Sequence, residues 1–332
     1  MKITVYLMIM IFLQSFSCNR APMTDISPNV QQISLWLTYW DNDGIVEDIN
    51  AISGLTSLNY FGAYFNWKNN LVIPELTASQ HMILKSLVKN NFLTVVNDIK
   101  YDSGSSSLKD IDLLETLFSS NEAMDSHIKE LITVAARNNF TGIEIDYEQV
   151  HKRPELPEKF ALFIGRLLLK TQEAGLSLRV VLETGFPIKS VKLPEGPEYC
   201  VMMYNLHYSS TSPGPKADCA FIRDIISKFN VLGSDLIVAF ATGGYDFNGN
   251  SAVQVTEKEA DRIFRAYGAS PKRDSASGAL YFHYTKNGEK HTVYYADATT
   301  MKLWMSEAMN AGVHNFAIWR AGGNLSLGSW KK

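Results

Sequence analysis

The segment Phe140-Thr141-Gly142-Ile143-Glu144-Ile145-Asp146-Tyr147-Glu148 carries three carboxylic acids at alternate positions. On a β-strand, residues two apart share a face, so Glu144, Asp146 and Glu148 project one way and Ile143, Ile145 and Tyr147 the other. If the isoleucines pack beneath helices, the acids point where a purely structural barrel strand would carry Val, Ile or Leu. Carboxylates this close cannot all ionise cheaply, so at least one proton stays bound and the pKa of the group nearest the open end rises. A glutamic acid raised in this way is a general acid. The bland alternative is a solvated edge strand whose acids face water, which is out of place midway through a parallel series.

Periodicity gives the elements that must hold this strand. Short β-rich runs alternate with longer amphipathic stretches, the pattern of a parallel sheet with crossover helices. Eight strands are expected, at 33–38, 57–65, 92–97, 142–147, 178–183, 200–204, 236–241 and 315–319. Apolar residues recur at helical spacing over 78–90, 121–138, 156–174, 217–229 and 299–311. Pro187, Pro194 and Pro197 predict a short or irregular fifth helix. The stretch after Trp319, about a dozen residues at 1.5 Å per residue, leaves the last helix short or missing. A helix at 255–267 and strands at 279–284 and 291–295, joined around Asn287-Gly288, form a small α+β insertion over about 247–296. The expected fold is α/β: a (β/α)8 TIM barrel over 33–332, with that insertion on the loop face where the strands end.

With 332 residues, 46% hydrophobic and 20% charged, the chain can fill one large core. A net charge of −3 supplies no field for gathering phosphate backbones, so no nucleic acid is expected as a partner. Cys18, Cys200 and Cys219 have neither metal-ligand spacing nor the density of a disulfide scaffold; a Cys200–Cys219 bridge stays open. Lys2 followed by an apolar run at 3–13 and by Ser15 and Ser17 reads as an export signal over 1–18, with a polar tether over 19–32. The run is too short to cross a bilayer as a helix. Ser15-Phe16-Ser17-Cys18 resembles the lipobox of bacterial lipoproteins. That resemblance implies lipidation at Cys18 and a lipid anchor to membrane at the bacterial cell envelope; an ordinary secretory signal is the alternative.

The acidic segment resembles D-x-x-D-x-D-x-E, the catalytic motif that glycoside hydrolase family 18 carries on its fourth barrel strand. Asp146 and Glu148 match its last two acids, Glu144 stands at the second Asp, and Thr141 replaces the first. Met202-Met203-Tyr204-Asn205 resembles the family's M-x-Y-D, with Asn205 in place of Asp. His207-Tyr208 with Ser212-Pro213-Gly214-Pro215, and Gly244-Tyr245-Asp246-Phe247, are similar to the spore-cortex and cell-wall lytic branch. Asp274, Ser277-Gly278, Tyr284 and the run from His291 to Asp297 match that branch's insertion and following helix start, with Ala296 replacing an acid and Gly243 an aromatic. Ala317-Ile318-Trp319-Arg320 ends the last strand, where the family places the Trp that floors its sugar site.

The resemblance implies hydrolysis of β-1,4-linked N-acetylglucosamine glycans, of peptidoglycan or chitin type, by substrate-assisted retention. By it, Glu148 protonates the leaving oxygen, Asp146 stabilises the oxazoline that the sugar's acetamide forms, Glu144 shares a proton with Asp146, and Tyr204 orients the acetamide carbonyl. Trp319, Asn205, Tyr245, Asp297 and Arg320 would contact the polysaccharide, and no metal or organic cofactor is required. Trp40, with Trp36, Tyr39, Tyr64, Phe65 and Trp67, could extend an aromatic platform, although single residues of this kind are more often core. A monomer is expected. The departures at Thr141, Glu144, Asn205 and Ala296 keep a second reading open: a weak or inactive carbohydrate-binding lipoprotein on the same fold.

Overall fold

The computed structural model describes residues 30–41, 44–74, 83, 88–233, 235–249 and 251–327. The leader, Cys18, most of the tether and most of the helix expected at 78–90 lie outside these residues.

Eight parallel strands form the centre: β1 Gln32–Thr38, β2 Leu55–Asn66, β3 Asn90–Lys100, β4 Gly142–Asp146, β5 Ser177–Glu183, β6 Glu198–Met202, β7 Ile237–Ala241 and β8 Asn315–Trp319. Each pairs with the next in that order. β8 pairs in turn with β1, Gln32 opposite Asn315 through Leu35 opposite Ile318, so the sheet closes. The chain is a (β/α)8 TIM barrel. Closure removes the sheet edges that alternation alone leaves open.

The ring that packs on β4 shows why the acids can face inward. The helix Asn121–Arg137 starts on Ser120, whose hydroxyl accepts from the Ala123 amide at 3.1 Å, and it buries Met124, Ile128, Leu131 and Ala135. Leu156–Glu173 carries Pro157 in its first turn and buries Phe160, Phe163, Ile164 and Leu167. These side chains join Ile143, Ile145 and Tyr147 in the apolar layer between barrel and helices. A fully buried isoleucine contributes about 1.5–3 kcal/mol relative to an exposed one, so reversing the strand's facing would forfeit several such terms.

Between Glu183 and Glu198 the described chain forms no helix, in keeping with the prolines, and none lies between Trp319 and Ser326. The insertion is a five-stranded antiparallel sheet of Gly243–Asn248, Ser251–Val255, Lys272–Arg273, Leu280–Lys286 and Glu289–Ala296, covered by the helix Glu257–Tyr267. It opens at Gly243, four residues before the expected boundary, because its first strand begins on a glycine pair that reads as a loop in sequence. Gly243 has φ +61°, and a Cβ on Gly244 would stand 1.7 Å from the Tyr294 carbonyl oxygen. Only a residue without a side chain fits this approach. Asn287 and Gly288, with φ 53° and 82°, make the tight turn between the last two strands of the insertion.

Candidate active site

Alternation on β4 separates the two faces as the sequence implies. Ile143 and Ile145 are fully buried, and Tyr147 lies against the helices with its hydroxyl 2.7 Å from His127 Nε2. Glu144 and Asp146 enter the barrel, 0% and 6% exposed, and Glu148 follows just beyond the strand at the open end.

Whereas the family motif implies a proton shared with Asp146, the hydrogen bonds of Glu144 run to other groups. Its Oε1 accepts from Trp36 Nε1 and Thr94 Oγ1, both at 2.6 Å, and its Oε2 accepts from Asn59 Nδ2. Arg179 Nη1 stands 3.6 Å from Oε2, with both side chains wholly buried. Indole, amide and guanidinium groups only donate at these atoms, so the arrangement suits a carboxylate. Burial pushes the Glu144 carboxyl up, and Arg179, Thr94 and Trp36 oppose that shift. The extra methylene of Glu144 carries its head into this cluster in the barrel interior. Arg179 is held in turn by Glu198 at 2.7 Å and Ser34 at 3.1 Å, and its guanidinium lies 4.4 Å from the Phe92 ring centre. Thr141 likewise serves the frame: its hydroxyl accepts from the Asn91 amide at 2.8 Å and donates to the Asn91 carbonyl at 3.0 Å.

Above that cluster, Asp146, Glu148, Tyr204, Asn205, Tyr245 and Trp319 line one pocket of about 170 Å³. Burial, then the charges of Glu148 and Glu144, drive the Asp146 carboxyl well above the usual range, and its buried Oδ1 has no hydrogen-bond partner among the described residues. Glu148 is raised to about 7, by burial first, with Lys109 opposing and Glu183 adding to the rise. Tyr204 is pushed up by burial and by the nearby Asp146 and Glu148. The backbone of Glu148 is fixed by Asn97, whose side chain accepts from the Glu148 amide at 2.9 Å and donates to its carbonyl at 3.1 Å.

Three charged residues of this site have no motif to reveal them. The Lys109 ammonium pairs with the Glu148 carboxylate. Burial works against that ammonium, but Glu148, Glu183 and Asp146 outweigh it and hold its pKa up. Glu183, at the end of β5, accepts from the Gln149 amide at 2.5 Å and so anchors the left-handed turn that follows Glu148. Lys216 lines the pocket beside Tyr245. A signal existed for Glu183 alone: it shares the inward face of β5 with Arg179 and Val181.

The remaining expected contacts divide. Trp319 floors the pocket, edge-on to Phe61 at 4.8 Å between ring centres, and Phe61 is edge-on to the half-exposed Trp40 at 5.7 Å. Trp40, Phe61 and Trp319 therefore form the aromatic strip at the mouth, with Phe61 its unexpected member. Trp36 is buried on Glu144, Phe65 is core, and Trp67 binds Asp102 on the surface. Arg320 pairs with Asp41 at 2.7 Å and lines a neighbouring pocket of about 240 Å³. Asp297 does not reach the pocket: it caps the helix Ala298–Asn310 through the Thr300 amide and pairs with Arg273 at 2.7 Å. Burial would raise the Asp297 carboxyl, but Arg273 and Thr300 hold it low. Cys200 is a free buried thiol, so it forms no bridge to Cys219. Among the described residues no group of His, Cys, Asp and Glu side chains could hold a metal ion. A groove of about 620 Å³ lies on the outer wall between the helices Asn121–Arg137 and Leu156–Glu173, away from the acids.

No protein-family model matches the chain. Among curated proteins it is similar to the uncharacterized glycosylase YvbX of Bacillus subtilis, 25% identical over 286 residues that cover 80% of each chain. Among solved structures, a chitinase from Chromobacterium violaceum aligns with TM-score 0.74 at 17% identity, over 90% of this chain and 96% of that one. The spore cortex-lytic enzyme SleL of Bacillus cereus aligns with TM-score 0.76 at 19% identity, over 91% of this chain and 73% of that one. These likenesses show the fold: the chain has the (β/α)8 barrel of these enzymes, and also of a family GH18 chitinase from Cycas revoluta that aligns with TM-score 0.67 at 18% identity, over 87% of this chain and 94% of that one.

Proposed function

We propose that this protein is a glycosidase that hydrolyses β-1,4-linked N-acetylglucosamine glycans by substrate-assisted catalysis with retention. One observation carries the reading: Glu148, raised to about 7, opens onto the same pocket as Asp146, Tyr204 and Trp319. A carboxyl poised near neutral pH can give a proton and take one back within a single turnover. The similarity to a glycosylase, a chitinase and a spore cortex-lytic enzyme supports the same class of reaction.

In this reading Trp319 stacks beneath the sugar whose glycosidic bond breaks. Glu148 donates its proton to the leaving oxygen while the 2-acetamido carbonyl oxygen of the substrate bonds to C1. The departing alcohol and a cyclic oxazolinium ion result. Asp146, whose carboxyl is pushed up by burial and by the charges of Glu148 and Glu144, accepts a hydrogen bond from the oxazolinium N–H and transfers no proton in this step. Tyr204 donates to the acetamide oxygen and aligns it for attack. Water then adds at C1 from the side the leaving group vacated, Glu148 takes its proton, and the acetamide re-forms with the original configuration. Glu144 takes no part in these transfers; it fixes β4 from below.

The test is Glu148→Gln on unactivated chitin oligomers and on purified peptidoglycan, with products analysed by mass. Loss of general-acid assistance costs about 10²–10⁴ in rate. Activity within tenfold of the parent, in a variant whose circular dichroism is unchanged, would end the assignment. We further propose that the protein is exported and held at the cell envelope through Cys18, on the strength of the leader and lipobox-like residues.

A further inference from the structure

Two pockets meet at Lys216. The pocket of the acids and the neighbouring one of about 240 Å³, which Asp41, Thr242, Thr256 and Arg320 help to line, share Lys216, Gln254 and Trp319 as a common wall. Together they fall within the roughly 300–1,000 Å³ usual for small-ligand sites. Lys216 Nζ donates to the Thr242 carbonyl at 3.1 Å and lies 5.5 Å from the centre of the Tyr245 ring. An ammonium has three N–H donors, so further acceptors are wanted.

The other cations of the cleft are matched. Lys109 pairs with Glu148 and Arg320 with Asp41, while no carboxylate among the described residues pairs with Lys216. A half-buried charge without a counter-charge carries a desolvation cost, and burial together with Arg320 lowers the Lys216 pKa to about 7. A methionine could fill the same wall without that cost. A lysine is explained if something with negative charge enters the cleft.

We infer that Lys216 is the recognition site for a carboxylate carried by the sugar next to the cleaved N-acetylglucosamine, which makes the preferred substrate an acidic heteroglycan instead of a neutral homopolymer. This rests on the glycan-hydrolase reading above. The carboxylate supplies the missing counter-charge at the wall where the two pockets meet, so it selects the substrate without entering the proton transfers.

The experiment measures binding by tryptophan fluorescence, with three probes sharing one N-acetylglucosamine: its disaccharide with a lactyl-ether amino sugar, the methyl ester of that disaccharide, and a disaccharide with a hexuronic acid. One charge-assisted hydrogen bond corresponds to about tenfold or more in affinity, and that is the expected advantage of acid over ester. Lys216→Met should bring the ratio close to one, and Lys216→Arg should keep it. A ratio taken within each variant cancels any general loss of fold. If the lactyl acid is the tighter of the acids, a wall glycan is the source; if the hexuronate is, an acidic extracellular polysaccharide is. Equal binding of acid and ester by the parent protein, or a preference that survives Lys216→Met, overturns the inference. Absent hydrolysis of both neutral oligomers and acidic heteroglycans, with the binding preference intact, would instead sink the catalytic reading alone.

Discussion

Replacing Lys109 with methionine should move the alkaline limb of the pH–rate profile upward by about one pH unit. The ammonium is in direct contact with Glu148 and opposes the rise that burial imposes on that carboxyl, which settles at about 7. A positive neighbour favours the ionised form, so removing it raises the pKa. An opposite charge at this range lowers a carboxyl by about 1–3 units. The Lys109 side chain is 39% exposed, and solvent screening places the effect at the low end. With the limb moved from about 7 to about 8, the acid form at about pH 8 grows from about one-tenth of the enzyme to about half. Relative to its own plateau, kcat/KM there should rise about fivefold. The limb belongs to the interacting pair Asp146 and Glu148 and is reported as one apparent value. The assay needs a chitin tetramer, since an aryl leaving group departs without protonation and would mask the acid limb. A limb that stays in place, or moves to lower pH, would show that Lys109 does not tune the proton donor.

Arg179→Met should destabilise the fold by about 3–5 kcal/mol in denaturant titration, because it strips the buried Glu144 of its counter-charge. Adding Glu144→Gln should recover part of that loss, and a single variant within about 1 kcal/mol of the parent would remove Arg179 from the frame. Cys18→Ser should release the protein from the membrane fraction and abolish labelling by a fatty acid; a variant that stays membrane-bound and labelled would place the anchor elsewhere.

All eight barrel strands were legible because each buries a repeating apolar face, and Glu144, Asp146 and Glu148 were conspicuous because they break that pattern on one side only. The pocket's Tyr204 and Trp319 were picked out only by the family resemblance at two strand ends, since on pattern alone each reads as a core aromatic. Lys109 and Lys216 were not legible: each is a single charged residue on a connecting segment, where spacing says nothing about what lies opposite in space. Asp297 illustrates the converse. An acid just before an apolar helical run is also an N-cap, and here the cap and Arg273 define its role. Arg179 could have been suspected, since a charged residue on the inward face of an apolar strand must find a partner, and its register neighbour across the ladder is Glu144.

The insertion is sewn to the end of the chain as tightly as to the strand it leaves. Glu257 accepts from the amides of Leu325 and Ser326, at 2.9 and 3.0 Å, and the Lys258 amide donates to the Gly323 carbonyl at 2.9 Å. Anyone transplanting this sheet onto another barrel would therefore have to carry 243–327 as one cassette. The inserted sheet moved alone would arrive without the backbone that its first helical turn was built to grip.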